Sequence, residues 1–186
     1  MYQAPDNRSQ TVRIGVYTAA GGVAAAVAGA VLGLVGGLIA SDTRAAVAAL
    51  AALAAVSLGL VEISGRRVPV FQIDRETPYE WLAPGSLPWA LRNGAALGFG
   101  AGTRLGFWLW YVIPIAALLS GEPIVGAAGY GLYGLVRTSS VSGLLRLQRA
   151  GLFTDAEVLR SSSVARMVTS VQLVLIGLLG LVLIGL

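Results

Sequence analysis

The residue best suited to binding an anion is Arg104, the one arginine placed inside an apolar stretch of the sequence. If the helix that carries it begins near Leu91, Arg104 lies about 20 Å along that helix, close to the middle of a bilayer. An arginine at that depth costs at least about 2.5 kcal/mol unless it is hydrated or paired, which favours a binding site for an anionic substrate or a lipid headgroup. If the helix begins near Thr103 instead, Arg104 lies at the interface and its guanidinium reaches water. The sequence leaves both interpretations open.

Four aromatic side chains complete the predicted substrate-binding set. Trp108 and Tyr111 follow Arg104 in the same apolar stretch, and Tyr130 and Tyr133 lie in the next one. Residues three apart on a helix share a face, so the two tyrosines of the second stretch are expected to lie side by side. The four rings either line a cavity between the two helices or pack against the glycine-rich faces described below.

The residue types that are absent exclude several classes of chemistry. The chain has no cysteine and no histidine, which excludes thiolate catalysis, a Ser-His-Asp triad, and metal or haem bound by those side chains. No carboxylate lies deep in an apolar stretch, and Asp74, Glu76 and Glu80 are clustered in one polar loop, as on a solvated surface. We therefore predict no metal and no cofactor, and a lipid-modifying enzyme is the least favoured of three functional hypotheses.

The composition indicates which solvent surrounds the chain. Hydrophobic residues make up 56% of the 186 residues and charged residues only 12%, with a mean hydropathy of +0.77. Soluble domains carry about 25% charged residues, so lipid is the predicted main solvent. We predict an all-α fold, a polytopic integral membrane helical bundle that forms a single membrane domain over residues 1–186. The net charge of +4 is explained by arginines that flank membrane helices, and we predict no nucleic-acid partner.

Five apolar stretches are predicted to cross the bilayer, which needs about 20 helical residues per crossing. They are residues 14–40, 45–61, 91–119, 124–136 and 168–186. Short polar turns at residues 41–42 and 121–122 fold the first four into two hairpins, and the fifth is a terminal helix. The third stretch has two interpretations. It is either a helix kinked at Pro114, or a helix broken within 98–102 so that residues 90–101 lie flat or dip into the bilayer.

Small residues recur every four positions in the first and third stretches. The glycines concerned are Gly29, Gly33, Gly37, Gly94, Gly98, Gly102 and Gly106. In lipid, such a face lets a neighbouring backbone come close, so we predict a helix-packing role for these residues. Two such faces exceed the obvious need of one five-helix bundle. They therefore predict a homo-oligomer or further membrane subunits.

Two polar segments, residues 64–89 and 138–166, are predicted to lie at the cytoplasmic interface. Each contains a helix-start signature in which a threonine is followed three residues later by glutamate, at Thr77 and at Thr154. The run LLRLQRAGLFTDAEVLR, residues 144–160, resembles the SHOCT domain, a short helical hairpin. The resemblance implies protein contact or oligomerisation and no chemistry. We accordingly expect a soluble cytoplasmic partner at 64–89 and 138–160.

The arginines are unevenly distributed between the two sides of a five-crossing chain. One side has Arg44 alone. The other side has Arg8, Arg13, Arg66, Arg67, Arg75, Arg92, Arg137, Arg146, Arg149, Arg160 and Arg166. Membrane proteins retain their basic residues on the cytoplasmic side. We therefore predict a multi-pass protein of a bacterial-type cytoplasmic (inner) membrane, with its amino terminus in the cytoplasm and its carboxyl terminus outside.

Two functions of different classes remain after these exclusions. The first is a small integral membrane protein that forms the membrane component of a transport or translocation system. The alternative is a structural or assembly subunit of a larger membrane protein complex, with no transport or catalytic activity of its own. In both cases the expected partners are the lipid bilayer and copies of this chain or other membrane subunits.

Overall fold

The computed structural model describes residues 7–66, 68–69, 86–100, 108–149 and 155–185. These residues form helices and the turns between them and contain no strand, which confirms the predicted all-α class. The elements of this part are α1 (Asn7–Gly37), α2 (Ser41–Ile63), α3 (Leu87–Phe99), a 3-10 helix η1 (Trp108–Tyr111), α4 (Val112–Ser120), α5 (Pro123–Arg149) and α6 (Asp155–Gly185).

Three described segments are helical, long and apolar enough to cross a bilayer, namely Thr11–Gly37, Ser41–Ile63 and Ala165–Leu183. They coincide with the first, second and fifth predicted crossings. Many of their large apolar side chains are exposed, for example Leu50 and Leu179. Soluble proteins rarely leave such extensive apolar surface in contact with water, so the apolar helices indicate a membrane protein. The count of five crossings and their arrangement as hairpins stay predictions.

The third apolar stretch is broken rather than continuous. Helix α3 ends at Phe99, and Gly100 follows it in the left-handed conformation with φ +82°. A residue other than glycine is strained there, which explains why the helix ends at this position. The next described helix begins at Trp108, and Pro114 lies in the first turn of α4, where a missing N–H leaves few helical bonds unmade. The kinked-helix interpretation is therefore wrong, and the interpretation with a break within 98–102 is the one that the structure has.

The fourth apolar stretch is part of a longer helix than the sequence indicates. Helix α5 runs from Pro123 to Arg149 without interruption, so the polar residues after position 137 continue it instead of starting a separate short helix. Helix α6 likewise begins at Asp155, ahead of its apolar part. Most of the predicted interfacial segment 138–166 thus belongs to the end of α5 and the beginning of α6. Its location at a cytoplasmic interface stays a prediction, and most of the segment 64–89 lies outside the described residues.

Helix α1 is the centre of the packing. It is antiparallel to α5, because Gly29 lies against Gly126 while Gly21 lies against Gly134. It is parallel to α3, because its residues 17 and 21 meet residues 94 and 98 in the same order. The turn-side half of α1 also contacts α4. The small core on this helix consists of Ala25, Ala28 and Tyr130.

The glycines of the two predicted faces lie against backbone carbonyls of this same chain. The pairs are Gly29 with Gly126, Gly33 with Glu122, Gly37 with Gly121, Gly94 with Tyr17, and Gly98 with Gly21. Gly102 and Gly106 lie outside the described residues. Because the described members of both faces are occupied inside one chain, they give no reason to expect a second copy or a further subunit on these faces.

Helices α2 and α6 form a second, antiparallel pair. Gly59 lies against Ser170, and Gly177 lies against Ala52 nearer the other end of α2. The Ser170 side chain is buried, and its hydroxyl donates a hydrogen bond to Glu62 Oε2 at 2.8 Å. This pair joins the rest of the bundle through η1 and α4.

The two ends of the bundle differ in charge. At the turn end, an N–H group of Arg44, in the first turn of α2, donates to the carbonyl of Ser120 at the end of α4 at 3.5 Å and so joins these two helices. Among the described arginines toward the opposite, arginine-rich end are Arg13, Arg66, Arg92 and Arg166. The hydrogen bond to the α4–α5 turn gives Arg44 a structural role at the turn end.

Candidate functional site

The break in the third apolar stretch lies at the mid-depth of the bundle. The apolar part of α1 is Thr11–Gly37, and its middle falls near residue 24. Gly98, in the last turn of α3, lies against Gly21, and Trp110 of η1 packs on the core around Ala25. Helix α3 therefore approaches this level from the arginine-rich end, and η1 with α4 continues from it toward the turn end.

A tyrosine of α5 is bonded to the end of α3 at this break. Tyr130 is 2% exposed, and its hydroxyl donates to the carbonyl oxygen of Phe99 at 3.1 Å. The last carbonyl groups of a helix receive no hydrogen bond from an N–H of the same helix. In lipid, each carbonyl left without a donor costs several kcal/mol. Tyr130 thus satisfies a backbone group that the break exposes. Its Cβ also packs against Gly29, so this ring uses the glycine-rich face of α1.

An unsatisfied donor lies beside the same break. The ring of Trp110 packs against Gly100, which has no side chain to obstruct it. The indole nitrogen Nε1 is buried and has no hydrogen-bond partner, and no other buried side-chain nitrogen or oxygen of the described chain shares this condition. A buried N–H without an acceptor costs about 1–3 kcal/mol, so its position is one that an acceptor atom would stabilise.

Three side chains on one face of α5 form a row that we call the Tyr–Arg ladder: Tyr130, Tyr133 and Arg137. The two phenol rings are stacked with centroids 6.0 Å apart and planes inclined by 6°. The Arg137 guanidinium carbon lies 5.9 Å from the centroid of the Tyr133 ring, and its Nη1 donates to the Tyr133 hydroxyl at 3.1 Å. Spacings of three and seven residues place all three on one helical face.

The guanidinium of Arg137 is bonded to a residue one helical turn nearer the amino terminus of α5. Side chains on a helix lean toward its amino terminus, which in α5 is the turn end. Arg137 follows this direction to reach Tyr133, one turn deeper. Gly134, next to that tyrosine, lies against Gly21 and Ala25 at the middle of α1. A guanidinium among apolar helices is stabilised by the groups that pair with it, and the Tyr133 hydroxyl is one of these groups.

A buried threonine fixes the backbone at this level. Thr138 is fully buried, and its hydroxyl donates to the carbonyl of Gly134 at 2.7 Å, within its own helix. It also lies 3.4 Å from the carbonyl of Thr18 on α1. These contacts hold the α5 residue that follows Arg137 against α1 and therefore set the depth of the ladder.

The other predicted aromatic residues form a separate group on η1. Trp108 and Tyr111 have ring centroids 5.3 Å apart, and Trp108 Nε1 donates to the carbonyl of Val68 at 3.3 Å. Trp110 makes an edge contact with Tyr111 at 5.1 Å and also packs on the core around Tyr130. The structure thus brings the predicted residues together as two pairs with Trp110 between them.

Sequence reasoning placed the mid-depth arginine at Arg104, which lies outside the described residues. It treated Arg137 as a helix-flanking arginine and gave Trp110 no role. The spacing of Tyr130, Tyr133 and Arg137 in the sequence was a signal that Arg137 lies on the same helical face as the two tyrosines. No sequence signal marks Trp110, because its unsatisfied N–H depends on the fold around Gly100.

The described residues contain no cluster of three carboxylates that could hold a metal ion. No family model matches the chain, and no curated protein or solved structure matches it either. The fold of the described residues defines the class, an all-helical protein whose apolar helices indicate a membrane location.

Proposed function

We propose that this chain is the membrane component of a transport or translocation system. The observation that carries the proposal is the end of α3 at Gly100, which lies level with the middle of the apolar part of α1. Secondary transporters bind substrates near the bilayer midplane with discontinuous helices, whose ends leave backbone groups free to interact. Irregular backbone at this depth is tolerated where it is packed in protein or lines a water-filled path.

In this proposal the chain crosses the inner membrane five times. The crossings are α1, α2, α3 together with α4, α5, and α6. The antiparallel contacts of α1 with α5 and of α2 with α6, and the parallel contact of α1 with α3, are those that alternating crossings require. The arginine-rich end then faces the cytoplasm with the amino terminus, in agreement with the bias of basic residues to that side. Copies of this chain or other membrane subunits would pack on the exposed apolar faces of α2 and α6.

A permeability assay tests the transport function. Liposomes containing the purified protein are mixed with concentrated solutions of small neutral, anionic and cationic solutes, and swelling is followed by light scattering. We expect faster swelling than in empty liposomes for at least one solute class. Gly100→Val should abolish it, because a branched side chain at φ +82° disturbs the break. Gly129→Val is the matched control, because nothing lies within 4 Å of a Cβ atom at that exposed position.

The assay is run both with the chain alone and with any subunits that accompany it through purification from its native membrane. Swelling equal to that of empty liposomes in both preparations, for every solute class, would overturn the proposal. Equal swelling for the Gly100 and Gly129 variants would remove the break from the mechanism.

One observation favours the alternative, a structural or assembly subunit. Two polar contacts of the ladder are made within the chain, from Tyr130 to Phe99 and from Arg137 to Tyr133. A packed scaffold needs no more than this. The alternative predicts that Arg104→Ala and Arg137→Gln leave complex assembly and function unchanged. It also predicts that substitutions in 64–89 or 138–160 release partner subunits, which is measured by the mass of the detergent-purified complex.

A further inference from the structure

We propose that α6 joins two copies of this chain in the membrane, through hydrogen bonds between their Gln172 side chains. The two α6 helices pack in parallel, along the face of each that is turned away from α2. The inference rests on the proposed crossing of the bilayer by α6 and does not depend on the transport function. Two observations carry it, an amide without a hydrogen bond in an apolar helix and a seven-residue repeat of exposed residues around that amide.

Gln172 is a polar residue in the middle of an apolar helix. The apolar part of α6 is Ala165–Leu183, and its central residue is Val174. Gln172 precedes this centre by two residues, which is about 3 Å along the helix axis. From that depth a glutamine side chain is too short to reach either surface of a bilayer whose apolar core is about 30 Å thick. Its exposed amide therefore faces hydrocarbon, where a polar group without a hydrogen bond is destabilising.

The other uncharged polar side chains in the apolar part of α6 have partners. The Thr169 hydroxyl donates to the carbonyl of Arg166 at 2.8 Å. The Ser170 hydroxyl donates to Glu62 Oε2 at 2.8 Å. Within the described part of the chain, the Gln172 amide makes no hydrogen bond. A primary amide carries N–H donors and a carbonyl acceptor, so an identical amide at the same depth is a complementary partner for it.

The face of α6 around Gln172 is free of α2. Ser170 and Val174 lie against Gly59 of α2. Gln172 is two positions from each of them, which places it about 160° away around the helix axis. Exposed residues recur on this face at alternating steps of three and four. They are Ala165, Val168, Gln172, Leu175, Leu179 and Val182. We call this row the α6 repeat.

A repeat of seven residues is the pattern by which two helices pack along each other with a shallow left-handed crossing. A single polar residue within such a repeat fixes the register of the two helices. Copies of one chain insert into a membrane with one orientation, so the two-fold axis of their dimer is parallel to the bilayer normal. Each residue of the α6 repeat then faces its own equivalent, and the two Gln172 amides meet at one depth. Lipid tails offer no such partner, because they have no polar group at that depth.

Disulfide cross-linking maps the interface, because the natural chain contains no cysteine. Leu175→Cys and Leu179→Cys place a thiol on the α6 repeat. Val171→Cys and Leu178→Cys are the matched controls, since they place it at exposed positions of the same helix beside the repeat. Each full-length variant is oxidised with copper phenanthroline in liposomes at a high lipid-to-protein ratio, and the dimer is measured on a non-reducing gel. We expect at least about fivefold more dimer at the two repeat positions, because a disulfide forms only where the Cβ atoms come within about 4 Å.

A second measurement tests the amide itself. Energy transfer between copies labelled at the amino terminus gives the dissociation constant of the dimer in liposomes. Gln172→Leu keeps an apolar side chain in the repeat but removes the hydrogen bonds, and should raise that constant about tenfold. Gln172→Asn retains an amide and should stay within about threefold of the natural chain. Thr169→Val is the control, because the Thr169 hydroxyl bonds within α6, and should change the constant by less than about twofold.

Three results would overturn the inference: no dimer at any of the four cysteine positions, equal dimer at the repeat and control positions, or an unchanged dissociation constant for Gln172→Leu. The cross-linking variants keep Gln172, so they decide the interface even where a substitution of that residue prevents insertion. A cross-linked α6 dimer in liposomes that show no solute swelling would refute the transport function and leave the α6 interface in place. Swelling by a chain that does not dimerise would refute the interface alone.

Discussion

The close approach of α1 and α5 at Gly33 allows a quantitative prediction. A Cβ atom at this position would lie 2.5 Å from the carbonyl oxygen of Glu122 and 2.8 Å from its carbonyl carbon. Ordinary Cβ contacts begin near 3.4 Å, so Gly33→Ala requires the two helices to separate by several tenths of an ångström. The obstructing atoms are backbone, which cannot rotate away as a side chain does.

The expected destabilisation follows from two opposing effects. Overpacking of this kind costs about 1–3 kcal/mol. Alanine is a better helix former than glycine by up to about 1 kcal/mol, which offsets part of that cost. We therefore expect Gly33→Ala to lower the free energy of unfolding by about 1–2 kcal/mol. For a chain of this length that corresponds to a Tm lower by about 2–8 °C.

The measurement is thermal unfolding in detergent, followed by tryptophan fluorescence, with Gly129→Ala as the control. A Cβ atom at Gly129 meets nothing within 4 Å, so only the gain in helix propensity applies and Tm should stay the same or rise by a few degrees. Size-exclusion mass is recorded for both variants. Equal Tm values for the two variants would refute the packing argument. A smaller mass for Gly33→Ala at unchanged Tm would show that this glycine serves an interface between copies instead.

Three further predictions concern other contacts. Tyr130→Phe leaves the Phe99 carbonyl without its donor and should lower the free energy of unfolding by about 1–3 kcal/mol in the same thermal assay; an unchanged Tm would mean that another group satisfies this carbonyl. Ser170→Ala removes the hydrogen bond to Glu62 between α2 and α6 and should cost about 1 kcal/mol, whereas Thr169→Ala, whose hydroxyl bonds only within α6, should cost less. Glu122→Cys in this cysteine-free chain should react with an impermeant maleimide from outside intact cells; labelling from the cytoplasmic side alone would contradict the proposed orientation.

The helical class and the three long apolar helices could be predicted because each depends on a continuous run of residues. Lipid requires every backbone group to be bonded within its own segment, so an apolar run of sufficient length is already a helix prediction. The end of α5 could not be found in this way. The predicted crossing stops at Val136 because polarity begins there, but a helix needs no apolar residues once it has left the lipid, and α5 continues to Arg149.

The sequence left the break after α3 as one of two interpretations, because the contacts that favour the break are made by residues outside α3. A run of glycines permits the left-handed conformation at Gly100 without requiring it. The requirement comes from Trp110, which packs where a side chain at Gly100 would lie, and from Tyr130, which satisfies the exposed carbonyl of Phe99. Trp110 and Tyr130 lie 10 and 30 residues after Gly100, beyond the reach of a helical turn, so local reasoning could name the site of the break but could not decide between the two interpretations.

The surroundings of Arg137 can be inferred only when the pairing of α1 with α5 is known. The glycine spacing of α1 predicted a close neighbour but did not identify it as α5. Once Gly29 is paired with Gly126, the antiparallel register brings Gly134 beside Gly21, which is near the middle of the apolar part of α1. The direction of α5 then turns the Arg137 side chain inward, since side chains lean toward the amino terminus of their helix. The helix pairing thus places Arg137, which in the sequence resembles a helix-end arginine, at a level where α5 packs closely on α1, and the candidate site depends on that register.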